Sequence, residues 1–363
     1  MSGFDAQKFL PEHLAGLKGY AARPPVPFSP GVLKLDLNEC LAPPSPRVRQ
    51  ALQAAANDTT ALNWYPDPTC RQLREAIGRY LKIAPQSVLV TNGSNMAMEA
   101  FARTFLSKGD HALIVSPVYD IFREQCCFQQ ARVEPFYFAD PFAPDFNELL
   151  ARPETPKVIY LANPNNPTGV GHRREDLDRL LHQRRDTLVV VDEAYNEFYG
   201  TSCVDLVERH PHLLVLRSFS KAFSLAGMRC GYVVAQPGVL ALMQRLLAPW
   251  AVGALTQVAA TAALEDLTAM RAFVAECATS RKLVVEGLRK LGFVARDTHA
   301  NFVLWQVRNP SKVVQQLADR NVYVSNKATL PQMEGYLRVT VGLRAQADQF
   351  LEIVTELCAQ FSD

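Results

Sequence analysis

Short apolar runs recur along the chain. SVLVT (87–91), HALIVS (111–116), RVEPFYF (132–138), KVIYLA (157–162), TLVVVD (187–192), LLVLRS (213–218) and CGYVVA (230–235) have strand length and the β-branched content of buried strands. Several are separated by segments with helical spacing, such as MAMEAFARTFLS and REDLDRLLHQRRD. This alternation predicts an α/β unit with a mainly parallel sheet over roughly residues 50–250. From about 267 to 291, apolar positions three and four apart predict a long connecting helix. Beyond it, FVLWQV, NVYVS and YLRVTV mix with the helical patterns SKVVQQLAD and QADQFLEIVTELCAQF, the mark of a smaller α+β lobe. The proline-rich first 45 residues, with helical spacing at 6–16, read as an arm. The expected division is therefore an arm with part of the small domain over 1–45, a large domain over 46–266, and a small domain with its connecting helix over 267–363.

Composition narrows the function. With 363 residues, 48% of them apolar, the chain can bury a sizeable core. Its 38 basic and 36 acidic residues leave a formal charge of +2 without long runs of one sign, which argues against nucleic-acid or membrane surfaces and for a small ligand. Eight cysteines lack CxxC spacing and fall mostly in apolar stretches, so they read as free thiols in a reducing compartment. The neighbours Cys126 and Cys127 would diverge on any regular element, and His210 and His212, flanking a proline, lack further ligands along the sequence; no metal is expected. The N-terminus lacks the basic start and apolar core of a signal peptide, and no run reaches the length of a membrane span, which makes the cytoplasm the expected location.

The polar residues at strand ends carry the chemistry. In open α/β sheets ligands gather at the carboxyl ends of the strands. After VLVT, Gly93 and Ser94 lead into a helix whose first amides, with the serine hydroxyl, can hold a phosphate. After VIYLA, the turn NPNNPTG aims Asn166, and after LVVVD come Asp192 and, three residues on, Tyr195. A carboxylate at the end of an apolar strand needs a cation or donor, such as a protonated ring nitrogen. After LLVLRS comes Lys221, with Ser218 before it and Arg229 after it, a hydroxyl and a forked cation suited to a dianionic phosphate. Singly these are caps, turns and a salt-bridged lysine; jointly they are the groups that hold an aldehyde-bearing pyridine with a phosphate tail.

The ordered set NPNNPTG, DEAY, SFSKAFSLAGMRCGY and LRVTVG resembles the class I/II aminotransferases of fold type I, which depend on pyridoxal 5′-phosphate. The segments YPDP (65–68) and HANFVLWQV (299–307) bring it nearest to the histidinol-phosphate aminotransferase branch. The resemblance implies that Lys221 bonds covalently to the cofactor aldehyde and later moves the substrate proton, and that Asp192 keeps the pyridine nitrogen protonated. It implies that Asn166 and Tyr195 bind the ring oxygen, that Ser94, Asn95, Ser218 and Arg229 hold the phosphate, and that Tyr119 stacks on the ring. Tyr65 would reach the phosphate of a neighbouring subunit, making a homodimer, and Arg338 would grip the substrate carboxylate; Tyr20 and Asn38 belong to the substrate end.

Two departures matter. Where the branch reads LSSNENPLGPSP, this chain reads LDLNECLAPPSP: Asn38 and Glu39 are kept while Cys40 and Leu41 replace Asn and Pro. Thirteen residues before Arg338, where the branch carries an arginine that grips a substrate phosphate, stands Ser325, with Lys327 close by. The expected reaction is transfer of an amino group between an unphosphorylated, aromatic or otherwise bulky L-amino acid and a 2-oxo acid. Histidinol-phosphate transamination, and decarboxylation of a phosphorylated amino acid as by threonine-phosphate decarboxylase, stay open as alternatives. A ligand-sensing regulator would need a DNA-binding segment, for which the 45-residue arm is too short.

Overall fold

The computed structural model describes residues 4–16, 26, 29 and 31–361. In chain order its strands are β1 (Leu33–Lys34), β2 (Val88–Thr91), β3 (His111–Ser116), β4 (Arg132–Tyr137), β5 (Val158–Ala162), β6 (Leu188–Asp192), β7 (Leu213–Ser218) and β8 (Gly231–Val234), followed by β9 (Val294–Arg296), β10 (Phe302–Gln306), β11 (Val322–Tyr323), β12 (Ser325–Asn326) and β13 (Tyr336–Thr340). Each of the seven apolar runs forms a strand of one sheet, in the order β2-β8-β7-β6-β5-β3-β4.

Six of these strands run in one direction, and β8 is antiparallel to both neighbours. Its direction follows from its connection: residues 219–230 between β7 and β8 hold only the 3-10 turn Ala226–Met228, and without a crossover helix the chain must return antiparallel. The sheet is buried on both faces. Ile159, Val189, Val191, Leu213 and Val215 face one core, and Val158, Tyr160, Val190, Leu214 and Leu216 face the other, the period-two alternation of a strand covered on each side.

The helix expected near 267–291 spans Thr268–Lys290. It leads to an antiparallel sheet ordered β12-β13-β10-β9 over a separate core that includes Trp305, Phe350 and Val284. The arm joins this part of the molecule, because β1 pairs in parallel with β11 and Thr340 N–H donates to the Leu35 carbonyl at 2.9 Å. The helix expected at 6–16 is instead two 3-10 turns, Ala6–Phe9 and Glu12–Leu14. Pro11 lies between them and cannot donate to an α-helical ladder. All eight cysteines are unpaired, and among the described residues no helix is long and apolar enough to cross a membrane.

Candidate active site

The carboxyl ends of β5, β6 and β7 open onto a cavity of about 400 Å³, within the usual range for small-molecule sites. Ser94, Asn95, Tyr119, Asn166, Asp192, Tyr195, Ser218, Lys221, Arg229 and Arg338 all line it. These residues are dispersed over the sequence, and the parallel strands bring them together because each leaves its loop at the same edge of the sheet.

Asp192 ends β6 and is buried. Its carboxylate accepts from the Ala194 N–H at 3.0 Å and from the Tyr160 hydroxyl at 3.0 Å. Burial outweighs these donors and pushes its pKa up to about 6. Lys221 lies three residues beyond β7, and its ammonium donates to the Leu37 carbonyl at 2.9 Å. Desolvation, then the Arg338 cation, lowers the Lys221 pKa to about 7, into the range where an amine is both available and nucleophilic.

Tyr195 stands between these groups. Its hydroxyl accepts from the Asn38 amide at 2.9 Å and from the Asn166 amide at 3.4 Å. Burial raises its pKa, and Arg338 and Asn38 oppose that. Arg338, on β13, donates to the Asn166 side-chain oxygen at 2.7 Å and to the Asp36 carbonyl at 2.5 Å.

At the other end, Arg229 holds a left-handed backbone with φ +51° and donates to the Ser220 hydroxyl at 3.3 Å and the Ala226 carbonyl at 3.2 Å. The Ser218 hydroxyl accepts from the Ser220 N–H at 3.1 Å. Gly93 opens the helix Gly93–Phe105 with φ +75°, and a Cβ there would sit 2.5 Å from Arg229 Nη2. Gly231 is needed for the same approach, since its Cβ would lie 2.6 Å from the Ser94 amide nitrogen. Two glycines thus clear a cradle of amides, hydroxyls and one guanidinium, a donor set that fits a phosphate dianion. With the buried carboxylate of Asp192, the low-pKa amine of Lys221 and the Tyr119 ring lining the same cavity, the residues present fit pyridoxal phosphate.

Two predicted residues lie elsewhere. Asn38 is fully buried behind Tyr195, with its N–H donating to the Thr340 hydroxyl at 3.0 Å. Tyr65 is 80% exposed and stacks on Trp250 at 4.6 Å, away from the cavity. Tyr20 lies outside the described residues.

Sequence reasoning missed Asp36 and Ser220, which line the cavity, and the support beneath it. There, buried Arg217 contacts Glu193 at 2.8 Å, Glu197 at 3.0 Å and the Ser202 hydroxyl at 2.9 Å. The signal was a charge inside the apolar run LLVLRS, which can be buried only with carboxylates to meet it.

Residues 30–354 match the family described as aminotransferase class I and II. A dihydroxyacetone phosphate transaminase of Campylobacter jejuni is 36% identical over 90% of this chain and 90% of its own. A histidinol-phosphate aminotransferase of Ruminiclostridium cellulolyticum is 30% identical over 91% of this chain and 93% of its own. In fold, the chain matches the crystal structure of histidinol-phosphate aminotransferase from Sinorhizobium meliloti in complex with pyridoxal-5′-phosphate, with a TM-score of 0.83 and 24% identity over 91% of each chain. The chain therefore belongs to the class I and II aminotransferases, pyridoxal-phosphate-dependent enzymes of fold type I, and falls in their histidinol-phosphate aminotransferase branch.

Proposed function

We propose that this aminotransferase takes its amino group from an unphosphorylated L-amino acid with an aromatic or other bulky side chain and passes it to a 2-oxo acid. The observation that carries the substrate class is Ser325. It is 1% exposed, pairs with Arg338 in the small sheet and lines the cavity where the branch would present a second arginine. A serine cannot supply the planar fork that grips a phosphate. Asp36 and Glu39 line the same cavity, and both pair with Lys34.

In this reading Arg338 holds the substrate α-carboxylate as a bidentate partner, oriented by its bond to Asn166. Lys221 Nζ, with a pKa near 7, would take the proton from the substrate α-carbon and deliver it, within the same half-reaction, to the cofactor carbon that carries the nitrogen; the second half-reaction would move a proton the other way. Asp192 would keep a proton on the ring nitrogen of the bound cofactor, and Tyr195, braced by Asn38, would donate to its ring oxygen. Bound pyridoxal phosphate supplies the electron sink that stabilises charge at the α-carbon. Ser94, Asn95, Ser218 and Arg229 anchor its phosphate. The exposed Tyr65 would reach that anchor in a second copy of the chain, making the enzyme a homodimer.

A second reading rests on Lys327, which lines the cavity two residues from Ser325 and would offer a point charge to a substrate phosphate. The similarity to a dihydroxyacetone phosphate transaminase points the same way. The test compares kcat/KM for histidinol phosphate with free aromatic and aliphatic amino acids, using 2-oxoglutarate as acceptor and glutamate as the readout. Preference for a free amino acid is expected, with Ser325→Arg improving turnover of the phosphorylated donor. A preference for histidinol phosphate, unaltered by Ser325→Arg and abolished by Lys327→Met, would replace the first reading with the second.

A further inference from the structure

We propose that Asp178, His182 and His210 form a binding site for one transition-metal ion of the zinc class, at the edge of the sheet opposite the cavity. Asp178 and His182 lie four apart on the helix Arg174–Gln183, which puts them on one face one turn apart. His210 comes from the turn before β7, its N-H···O geometry fixed by a backbone bond from Leu213 N–H to the His210 carbonyl at 3.0 Å. Sequence spacing argued against a metal because His210 and His212 lacked partners along the chain; the fold supplies two from a separate helix.

The three ligand atoms lie within 4.8 Å of one another. His210 Nε2 is 2.9 Å from Asp178 Oδ1, and His182 Nδ1 is 3.6 Å from the same oxygen. Zinc bonds of about 2.0–2.2 Å at tetrahedral angles place donors roughly 3.4 Å apart, so the 2.9 Å contact between His210 and Asp178 must open to admit the ion. His182, whose side chain is 50% exposed, must exchange the contact of its Nδ1 with the Asp178 carbonyl at 2.9 Å for the ion, while His210 is buried. Two imidazoles and one carboxylate select zinc, copper(II) or nickel(II) over calcium or magnesium, which prefer oxygen-rich shells.

The surroundings limit the affinity. Arg209 Nη2 stands 3.5 Å from Asp178 Oδ1 and competes for it, and His212 is engaged with the Leu181 carbonyl at 3.2 Å instead of joining the set. Three ligands with one negative charge, beside a competing cation, give a micromolar and not a nanomolar site. The six residues of β7, Ser218 the last of them, run from the site toward the cavity over roughly 20 Å at about 3.3 Å per residue, so the ion ties the helix to the start of β7 and takes no part in amino transfer.

The experiment titrates zinc chloride into the untagged holoenzyme by calorimetry and follows thermal unfolding in parallel. One equivalent with micromolar affinity and a rise in Tm are expected. His182→Ala, an exposed position whose loss leaves the fold and the basal aminotransferase activity intact, should weaken that equivalent at least tenfold and abolish the Tm rise, and Asp178→Asn should do the same. Binding through the cysteines would survive both changes. No binding by the parent enzyme, or an undiminished equivalent in His182→Ala, would overturn the site.

Discussion

Arg338 Nη1 donates to the side-chain oxygen of Asn166 across 2.7 Å, joining β13 of the small sheet to the turn that follows β5 of the large one. The same asparagine faces the Tyr195 hydroxyl with its amide at 3.4 Å. One side chain therefore orients both the arginine proposed for the substrate carboxylate and the tyrosine proposed for the ring oxygen. Replacing Asn166 with Ala should raise KM for the amino donor about tenfold or more, as loss of a charge-assisted hydrogen bond worth about 1.5–3 kcal/mol predicts. Steady-state kinetics with varied donor measure it. A fall in kcat with KM unchanged would count against this orienting role.

Lys221 gives a pH prediction. Burial, with the Arg338 cation next, brings its pKa down to about 7, so the neutral amine becomes the majority form above that pH. The apoenzyme should take up pyridoxal phosphate faster as pH rises through about 7, followed by growth of the visible absorption band. Arg338→Met removes one of the two causes named and should move the midpoint upward. An unshifted midpoint in that variant would show that the Arg338 cation is not one of the causes.

Asp192 affects stability in the opposite sense. An ordinary aspartate loses its proton near pH 4 in the unfolded chain, whereas the folded group holds it to about 6. Between those values the folded apoenzyme binds the extra proton, so the contribution is stabilising at low pH and is lost as pH rises through about 6. Asp192→Asn apoenzyme should therefore gain stability at pH 7, on the order of 3 kcal/mol at about 1.4 kcal/mol per pH unit, while losing amino-transfer activity. Denaturant unfolding of both apoproteins at pH 4 and pH 8 checks it: the advantage of Asn must grow with pH.

Gly93 tests the cradle. Ala at φ +75° carries the left-handed penalty of about 1–2 kcal/mol, and its Cβ meets Arg229 Nη2. Gly93→Ala should keep the fold, weaken pyridoxal phosphate binding about tenfold or more, and leave Lys221 reactive toward pyridoxal itself, which has no phosphate to anchor. Parallel titrations of the apoenzyme with the two aldehydes separate the outcomes; equal weakening of both would show that the damage reaches beyond the anchor.

The central strands β5, β6 and β7 were legible because both of their faces are covered, so each is written as a nearly continuous apolar run, whereas the partly exposed edge strand β4 is mixed. The direction of β8 was not, since a short apolar run reads alike in either direction. Lys221, Asp192 and Asn166 could be found because they follow such runs directly. Tyr160, hidden inside VIYLA, gave no sign that it would donate to Asp192 one strand away. Asn38 was read as a substrate contact, but which group it meets depends on the pairing of segments far apart in the chain, and it lies against Tyr195. For the same reason His210 could not be matched with His182 from spacing alone.

The antiparallel insertion of β8 has a consequence for the order in which the enzyme is completed. β2 is an edge strand whose only neighbour among the described residues is β8, and β8 in turn separates it from β7. On a ribosome that has released the chain only as far as Ser218, the residues for Ser94, Asn166 and Asp192 all exist, yet β2 has nothing to pair with and the Gly93–Ser94 helix start has no fixed seat. Arg229 and Gly231 emerge together, the guanidinium immediately ahead of the strand that docks β2 beside it. Such a long-range pairing closes late. The amides, hydroxyls and guanidinium of the cradle are therefore brought together only in a chain that extends through Val234.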